Sequence, residues 1–132
     1  MPITFDNILD QGKAKILAYK KNENHNLLAE IKGNFPREYG KLFHNLRRFN
    51  EFGELKDEEK FKHISGNTYE FKVNKLRVFC VMLDGAIPIT IVLNHYYKKQ
   101  KQRMPHNERD KAFRLSEEIT RLFKEGKLII EE

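Results

Sequence analysis

The sequence predicts an α+β domain in the order strand, two helices, three antiparallel strands and a final helix, with the helices packed against one sheet. Three observations carry that prediction. Between residues 69 and 103, apolar segments of strand length are separated by two short turns, the pattern of consecutive hairpins. Tyr39, Leu42, Phe43, Leu46 and Phe49 recur at helical spacing, with Gly53 as the stop. Ala112, Leu115, Ile119, Leu122 and Phe123 form a second apolar stripe, which Gly126 ends.

Taken in order, residues 1–12 read as a short N-terminal arm punctuated by Pro2, Asp6, Asn7 and Gly12, from which Ile3, Phe5, Ile8 and Leu9 can dock onto the body. KILAYK at 15–20 is the first strand, followed by a polar turn at 22–26. Residues 27–32 form a short helical stretch closed by Gly33. Proline belongs at a first helical position, so the next helix runs from Pro36 to Phe52, with Asn34 upstream as its cap. The polar stretch 51–62, centred on DEEK, reads as a loop or a ragged turn.

Ser65-Gly66-Asn67 then opens the sheet region, with strands expected near 68–73, 76–83 and 87–97. Asn74 suits a two-residue hairpin turn because asparagine tolerates positive φ, and Asp84-Gly85 is the stronger turn signal. Pro88 fits the first residues of a strand or an edge better than a sheet centre. A helix follows over about 105–125, and the tail KLIIEE reads as a frayed end or a short extra strand. The 132 residues, with no repeat or low-complexity linker, suit one domain spanning 1–132.

A net charge of +6, from 25 Lys and Arg against 19 Asp and Glu, directs attention to anionic partners: nucleic acid, an acidic protein or a membrane surface. The single cysteine, Cys80, excludes an intrachain disulfide and a thiolate zinc cluster. Its setting in VFCVM reads as a buried strand thiol of the reducing cytoplasm. The N-terminus lacks the charged and apolar regions of a signal peptide, and no apolar run reaches membrane-spanning length. A cytoplasmic domain with no membrane association is expected. Walker, GxSxG, HExxH and Rossmann motifs are absent from the sequence.

Lys72 and Arg77 lie inside otherwise apolar strands, where a cation has a desolvation cost unless it has work or a partner. Lys98, Lys99, Lys101 and Arg103 continue the last strand as a basic cluster, with His95 and His106 on either side. Tyr69, Tyr96 and Tyr97 add rings on which a base can stack. Cleaving RNA without metal or cofactor requires a base for the 2′-OH, a cation for the crowded phosphate and an acid for the departing 5′-oxygen. Histidine supplies a proton-transfer group near neutral pH, and a lysine crowded by cations can be tuned toward that range. The same cluster also fits a solubilising strand end or a docking surface for an acidic partner. Arg37, Lys41, His44 and Arg48 fall mostly on the polar side of their helix and read as solvated surface. His25 and His63 read as ordinary histidines, and Asp57, Glu58 and Glu59 as a solvated charge run.

The order of these pieces resembles the RelE/ParE toxin superfamily, and within it the HigB-like, phage-derived branch. The residues that carry the resemblance are YEFK at 69–72, Leu76-Arg77-Val78-Phe79, Tyr96-Tyr97-Lys98-Lys99, and Met104-Pro105 through Glu108 to Ala112. KILAYKK matches as the first strand, and LLAEIKG with PREYGKLFHNLRRFNEFG matches as a helical hairpin, so the likeness covers about residues 14–125. It implies a RelE-like fold: a small, mostly antiparallel sheet with an N-terminal helical hairpin and a C-terminal helix packed against it. It also implies the toxin of a type II toxin–antitoxin pair, a ribosome-dependent mRNA interferase that needs no metal or cofactor. The implied partners are mRNA on the ribosome and a cognate antitoxin, a helix-turn-helix protein.

Carried over by position, Lys72 falls on a sheet lysine, Arg77 on the arginine that holds the phosphate, and Lys98 or Lys99 on the basic end of the last strand. Glu70 stands where RelE has a second lysine, and His106 where RelE places a tyrosine. Proton transfer is thus open between His106 and His95, with Lys72 in reserve. Two other functions stay in view: a ParE-like inhibitor of DNA gyrase, and an inactive phage-derived interaction module.

Overall fold

A computed structural model describes residues 3–20, 25–100 and 106–131. The chain opens with a β-hairpin, β1 (Thr4–Leu9) and β2 (Ala14–Lys20), then runs through α1 (Leu27–Asn34) and α2 (Pro36–Phe52). Four strands follow: β3 (Phe61–Ser65), β4 (Thr68–Val73), β5 (Leu76–Met82) and β6 (Ile89–Lys98). Helix α3 (His106–Lys124) and a short β7 (Ile129–Glu131) complete the described chain. Among the described residues the strands form a single sheet in the order β3-β4-β5-β6-β2-β1-β7. Among the described residues no helix is long and apolar enough to cross a membrane.

The α+β class holds, but two parts of the expected architecture do not. The sheet is mixed: β2 pairs parallel with β6, and β1 pairs parallel with β7. Its antiparallel part is the meander β3 to β6, together with the β1–β2 hairpin. Sequence reading placed β2 and β4 to β6 and offered the tail as a frayed end or a short extra strand, which is β7, but it missed β1, which lies in the expected arm. Strand β3 begins within the stretch 51–62 expected as a loop or ragged turn, and with only Phe61 at its start buried it carries no apolar alternation.

The helices do not form an N-terminal hairpin either. A β-hairpin precedes them, and Phe35 alone connects α1 to α2. An αα-hairpin needs a loop of about two to five residues to reverse direction. Pro36 also keeps the residue before it out of the helical region, and Phe35 accordingly sits at φ −138°, ψ 66°. The result is two helices in succession with a bend between them. Phe35 therefore occupies the capping position of α2 and offers no side-chain cap, whereas Asn34 ends α1 and reaches Tyr96. Asn26 caps α1, its Oδ1 accepting from the Ala29 N–H at 2.9 Å. At its far end α2 stops at Gly53, in the left-handed region at φ 77°, as expected.

Strand alternation divides the core into two. Ile16, Ala18, Val78 and Leu93 face α1 and α2, where they meet Leu28, Ile31, Leu42, Leu46 and Phe49. Leu17, Val81 and Val92 point the other way and pack with Phe5 beneath Ile119 of α3. Phe5, fully buried, turns the N-terminal segment into part of the fold rather than a loose arm. Cys80 is buried as expected, and burial pushes its thiol well above the ordinary range. Helices thus cover both faces of the sheet, and α3 begins at the end where β4, β5 and β6 carry their charged residues.

Candidate active site

Register decides which of the candidate residues meet. Lys72 lies opposite Arg77 across β4 and β5, and Arg77 lies opposite Tyr97 across β5 and β6. Two residues further along the same face, Glu70 pairs with Phe79 and Phe79 with His95. A bulge between Phe79 and Cys80 breaks the register there and leaves Asn94 to reach Ser116 of α3 at 3.1 Å. Two adjacent rows, Lys72–Arg77–Tyr97 and Glu70–Phe79–His95, therefore share the face on which α3 starts.

Within these rows Phe79 is fully buried, and its ring lies nearly parallel to those of His95 and Tyr97, with centroids 6.1 and 6.0 Å away. It sets the two β6 side chains in place. His95 Nε2 lies 2.5 Å from Glu108 Oε2 in the first turn of α3, with both side chains largely covered. Arg77 folds back over the hairpin turn and donates through Nη1 to the carbonyls of Asn74 at 2.7 Å and Leu76 at 3.0 Å. Asn74 holds φ 54° at that turn, as its residue type allows. The backbone thus anchors one edge of the half-buried guanidinium, while Nη2 and Nε have no partner among the described residues.

The residue that sequence reasoning passed over is Glu70. Only 4% of it is exposed, and its Oε2 is buried with no hydrogen-bond partner among the described residues. Burial raises its pKa above the ordinary carboxylate value, against the opposing pull of Arg77, Lys72, Lys62 and Lys99. A carboxyl held this way is a proton acceptor poised closer to neutral pH. Desolvation likewise raises the Tyr97 phenol, with Glu70 adding to the shift and Arg77 opposing it.

Other candidates fall elsewhere. Lys98 lies opposite Leu76 on the α1–α2 face, 3.8 Å from Glu38 and over the Phe35 ring at 5.2 Å. Lys99 follows β6 on the Arg77 side, its backbone held to Lys75 at 2.7 Å. Of that pair, only Lys99 adds its field to Glu70. Tyr96 also faces the helices: its hydroxyl donates to Glu30 Oε1 at 3.1 Å and accepts from Asn34 Nδ2 at 3.3 Å. Tyr69 stacks on Phe61, with centroids 5.1 Å apart, and lies beside His63 toward the β3 edge. His106 is exposed at the first residue of α3. Lys101 and Arg103 lie outside the described residues.

One signal in the sequence could have found Glu70. In YEFK, the residue two before Lys72 must share its face, so a cation at 72 and an acid at 70 belong to one surface. Adjacent residues in Tyr96-Tyr97-Lys98-Lys99 must likewise part company, because the strand period is two.

A family model described as phage-derived protein Gp49-like (DUF891) matches residues 29–117. No curated protein matches the chain. The matched span runs from α1 through the meander and into α3, so it takes in both rows of the site together with Glu108. It supports the superfamily and the phage-derived character that the motifs suggested, without singling out a HigB branch. The chain belongs to the phage-derived Gp49-like family, a toxin-like group within the RelE/ParE-like clan.

Proposed function

We propose that the protein is the toxin of a type II toxin–antitoxin pair and that it cleaves RNA in the cytoplasm, on the ribosome, by attack of a 2′-OH on the adjacent phosphate. The observation that carries this reading is the unsatisfied Glu70 carboxyl set beside Lys72, Arg77 and the His95–Glu108 pair on one face. Each requirement of the reaction then has a group at hand. Glu70 accepts the proton of the 2′-OH as the bond from O2′ to phosphorus forms. Arg77, with Lys72 and Lys99, stabilises the charge that builds on the phosphoryl oxygens. His95, oriented by Glu108, gives a proton to the 5′-oxygen as its bond to phosphorus breaks. The products are a 2′,3′-cyclic phosphate and a free 5′-hydroxyl, with no net change in protons. Lys72 serves the phosphate in this scheme, and His106 is the alternative acid.

An inhibitor must accompany such a toxin in its own cell, so a cognate antitoxin is the expected partner. The test is induced expression in a bacterial host with transcript 5′ ends mapped. New ends within translated messages are expected from the wild type and not from Glu70→Gln. Growth arrest with intact transcripts and inhibited DNA gyrase would overturn the nuclease reading.

A further inference from the structure

Alternate residues of a strand share one side of the sheet, so Thr68 lies on the same face as Glu70 and Lys72, about 7 Å along β4 from Glu70. Its cross-strand partner, Val81, belongs to the core beneath α3. Beside Thr68 and Val81 opens a cavity of about 630 Å³, walled by Asn67 of the β3–β4 turn and by Phe113 and Ser116 of α3. The turn is held against β5, the Asn67 carbonyl accepting from the Met82 N–H at 2.8 Å. The cavity therefore continues the rows of the candidate active site along the same face, beyond Glu70 on the side away from Arg77.

Packing leaves two features of this cavity unexplained. Phe113 is half-buried yet packs into neither apolar core and has no ring partner among the described residues. Asn94, aimed at α3 by the bulge in β5, is fully buried, and its Oδ1 has no hydrogen-bond partner among the described residues. Buried polar atoms nearly always have one. Its Nδ2 donates at 3.1 Å to Ser116 Oγ, which leaves that hydroxyl in the cavity wall to give its own proton elsewhere. Charge narrows the choice of ligand. Glu117 and Glu125 balance Arg121 and Lys124 in the lining, and Arg121 is already held by Glu118 at 2.6 Å and Glu125 at 3.1 Å. An uncharged ring suits such a place better than a phosphate does.

We propose that the cavity receives the base of the nucleotide whose 2′-OH attacks. A ribonucleotide presents an uncharged ring, a 2′-OH and a 3′-phosphate. Along β4 and β5 the face offers, in the same order, a neutral cavity, a proton acceptor at Glu70 and the cations Lys72 and Arg77. Phe113 supplies the ring on which the base stacks, and Ser116 and Asn67 bond to its edge. An apolar side chain of a protein partner would also enter, but it has no use for the oriented hydroxyl. The inference rests on the RNA reading above and adds to it a preference for the base immediately 5′ of the cut.

The test maps transcript 5′ ends after induced expression of the full chain, and scores which base precedes each cut. Wild type should favour particular bases there. Stacking tolerates any base, so Phe113→Leu should slow cutting at all sites. Ser116→Ala should instead flatten the preference about twofold to tenfold, the usual worth of one neutral hydrogen bond. A disturbed α3 would lower every site equally and leave the preference intact. Asn67→Ala changes an exposed turn residue and should flatten the preference with an unchanged melting temperature, so the test does not depend on Ser116→Ala folding. Arg114→Gln, on the exposed side of α3 outside the cavity, should match wild type in both rate and preference. Cutting with no preference at that position, or a preference that Ser116→Ala and Asn67→Ala both leave unchanged, would overturn the cavity's role and leave the nuclease reading standing. A wild type that cuts no transcript would overturn both. Intact preference in these variants, with loss of neutralisation by the co-expressed neighbouring gene, would overturn the base and give the cavity to a protein side chain.

Discussion

Replacing Glu70 by glutamine should make the protein more stable and less active, an unusual pair of outcomes for one conservative change. The sign follows from its surroundings. Burial raises the carboxyl pKa above its ordinary value of 4.5, although four cations pull the other way. Between 4.5 and that raised value the folded chain holds a proton that the unfolded chain has released. Stability therefore falls as pH rises through that window and stays lower above it. Glutamine resembles the protonated form, keeps the volume and removes the charge. Leaving a buried polar group unsatisfied costs about 1–3 kcal/mol, more for a charged one. Attraction to Arg77, Lys72, Lys62 and Lys99 offsets part of it. A net gain of about 1 kcal/mol at pH 8 is expected, or about 4 °C in Tm for a domain of this size. At pH 4 the difference should vanish. RNA cleavage should fall by about a hundredfold to ten-thousandfold if Glu70 is the general base. Thermal unfolding of both proteins at pH 4 and pH 8, with cleavage measured in parallel, reads all of this. A variant less stable than wild type at pH 8 would show that the cations outweigh burial, and full cleavage by it would remove Glu70 from the mechanism.

Arg77→Ala should slow cleavage by about a hundredfold to a thousandfold, the usual cost of one oriented donor to a developing oxyanion. Because the side chain is half-exposed, circular dichroism and Tm should stay near wild type; undiminished toxicity would refute the phosphate role. Lys99→Ala should impair cleavage, whereas Lys98→Ala should mainly lose a partly exposed contact to Glu38, worth about 1 kcal/mol at most in unfolding experiments. Equal effects on cleavage would show that the division of β6 into two faces does not govern function. His95→Ala and Glu108→Gln should each lower kcat, and the double variant should be no worse than His95→Ala alone, as in a coupled pair. Additive losses would mean that Glu108 does not act through His95. Co-expression with the neighbouring gene should restore growth and yield a stable complex, and failure of rescue would count against a toxin–antitoxin pair.

How much of this was legible in the sequence depended on how locally each feature is encoded. Helix α2 was readable to the residue because Pro36, an apolar stripe and Gly53 mark its start, face and end within one stretch. The strands β4 and β5 were readable for a similar reason, since turn residues separate two runs of apolar alternation. Strand β1 escaped, and β7 stood only as one of two readings of the tail, because their pairing is not local. Their parallel register joins Thr4 to Ile129 across nearly the whole chain, and no short-range pattern announces it. The bend at Phe35 was in reach, because the residue before a proline resists the helical region, but two neighbouring helices invite the hairpin reading.

The site was legible as a list of charges and not as an arrangement. Treating the run at 96–99 as one cluster joined side chains that the strand period separates: Tyr97 and Lys99 belong with Arg77, while Tyr96 and Lys98 belong with Glu30 and Glu38. Applied to β4, the same rule brings Glu70 into the company of Lys72. Period alone could not have shown that Glu70 is buried, because its burial depends on packing from elsewhere in the chain. That burial is what turns an acid among lysines from a neutralised surface pair into a group with a raised pKa and an unsatisfied oxygen. An acid at the surface would have screened the cations and weakened any hold on phosphate. Buried and unsatisfied, it instead gives the cations beside it a proton acceptor to work with, which is why the functional reading rests on Glu70 more than on the net charge.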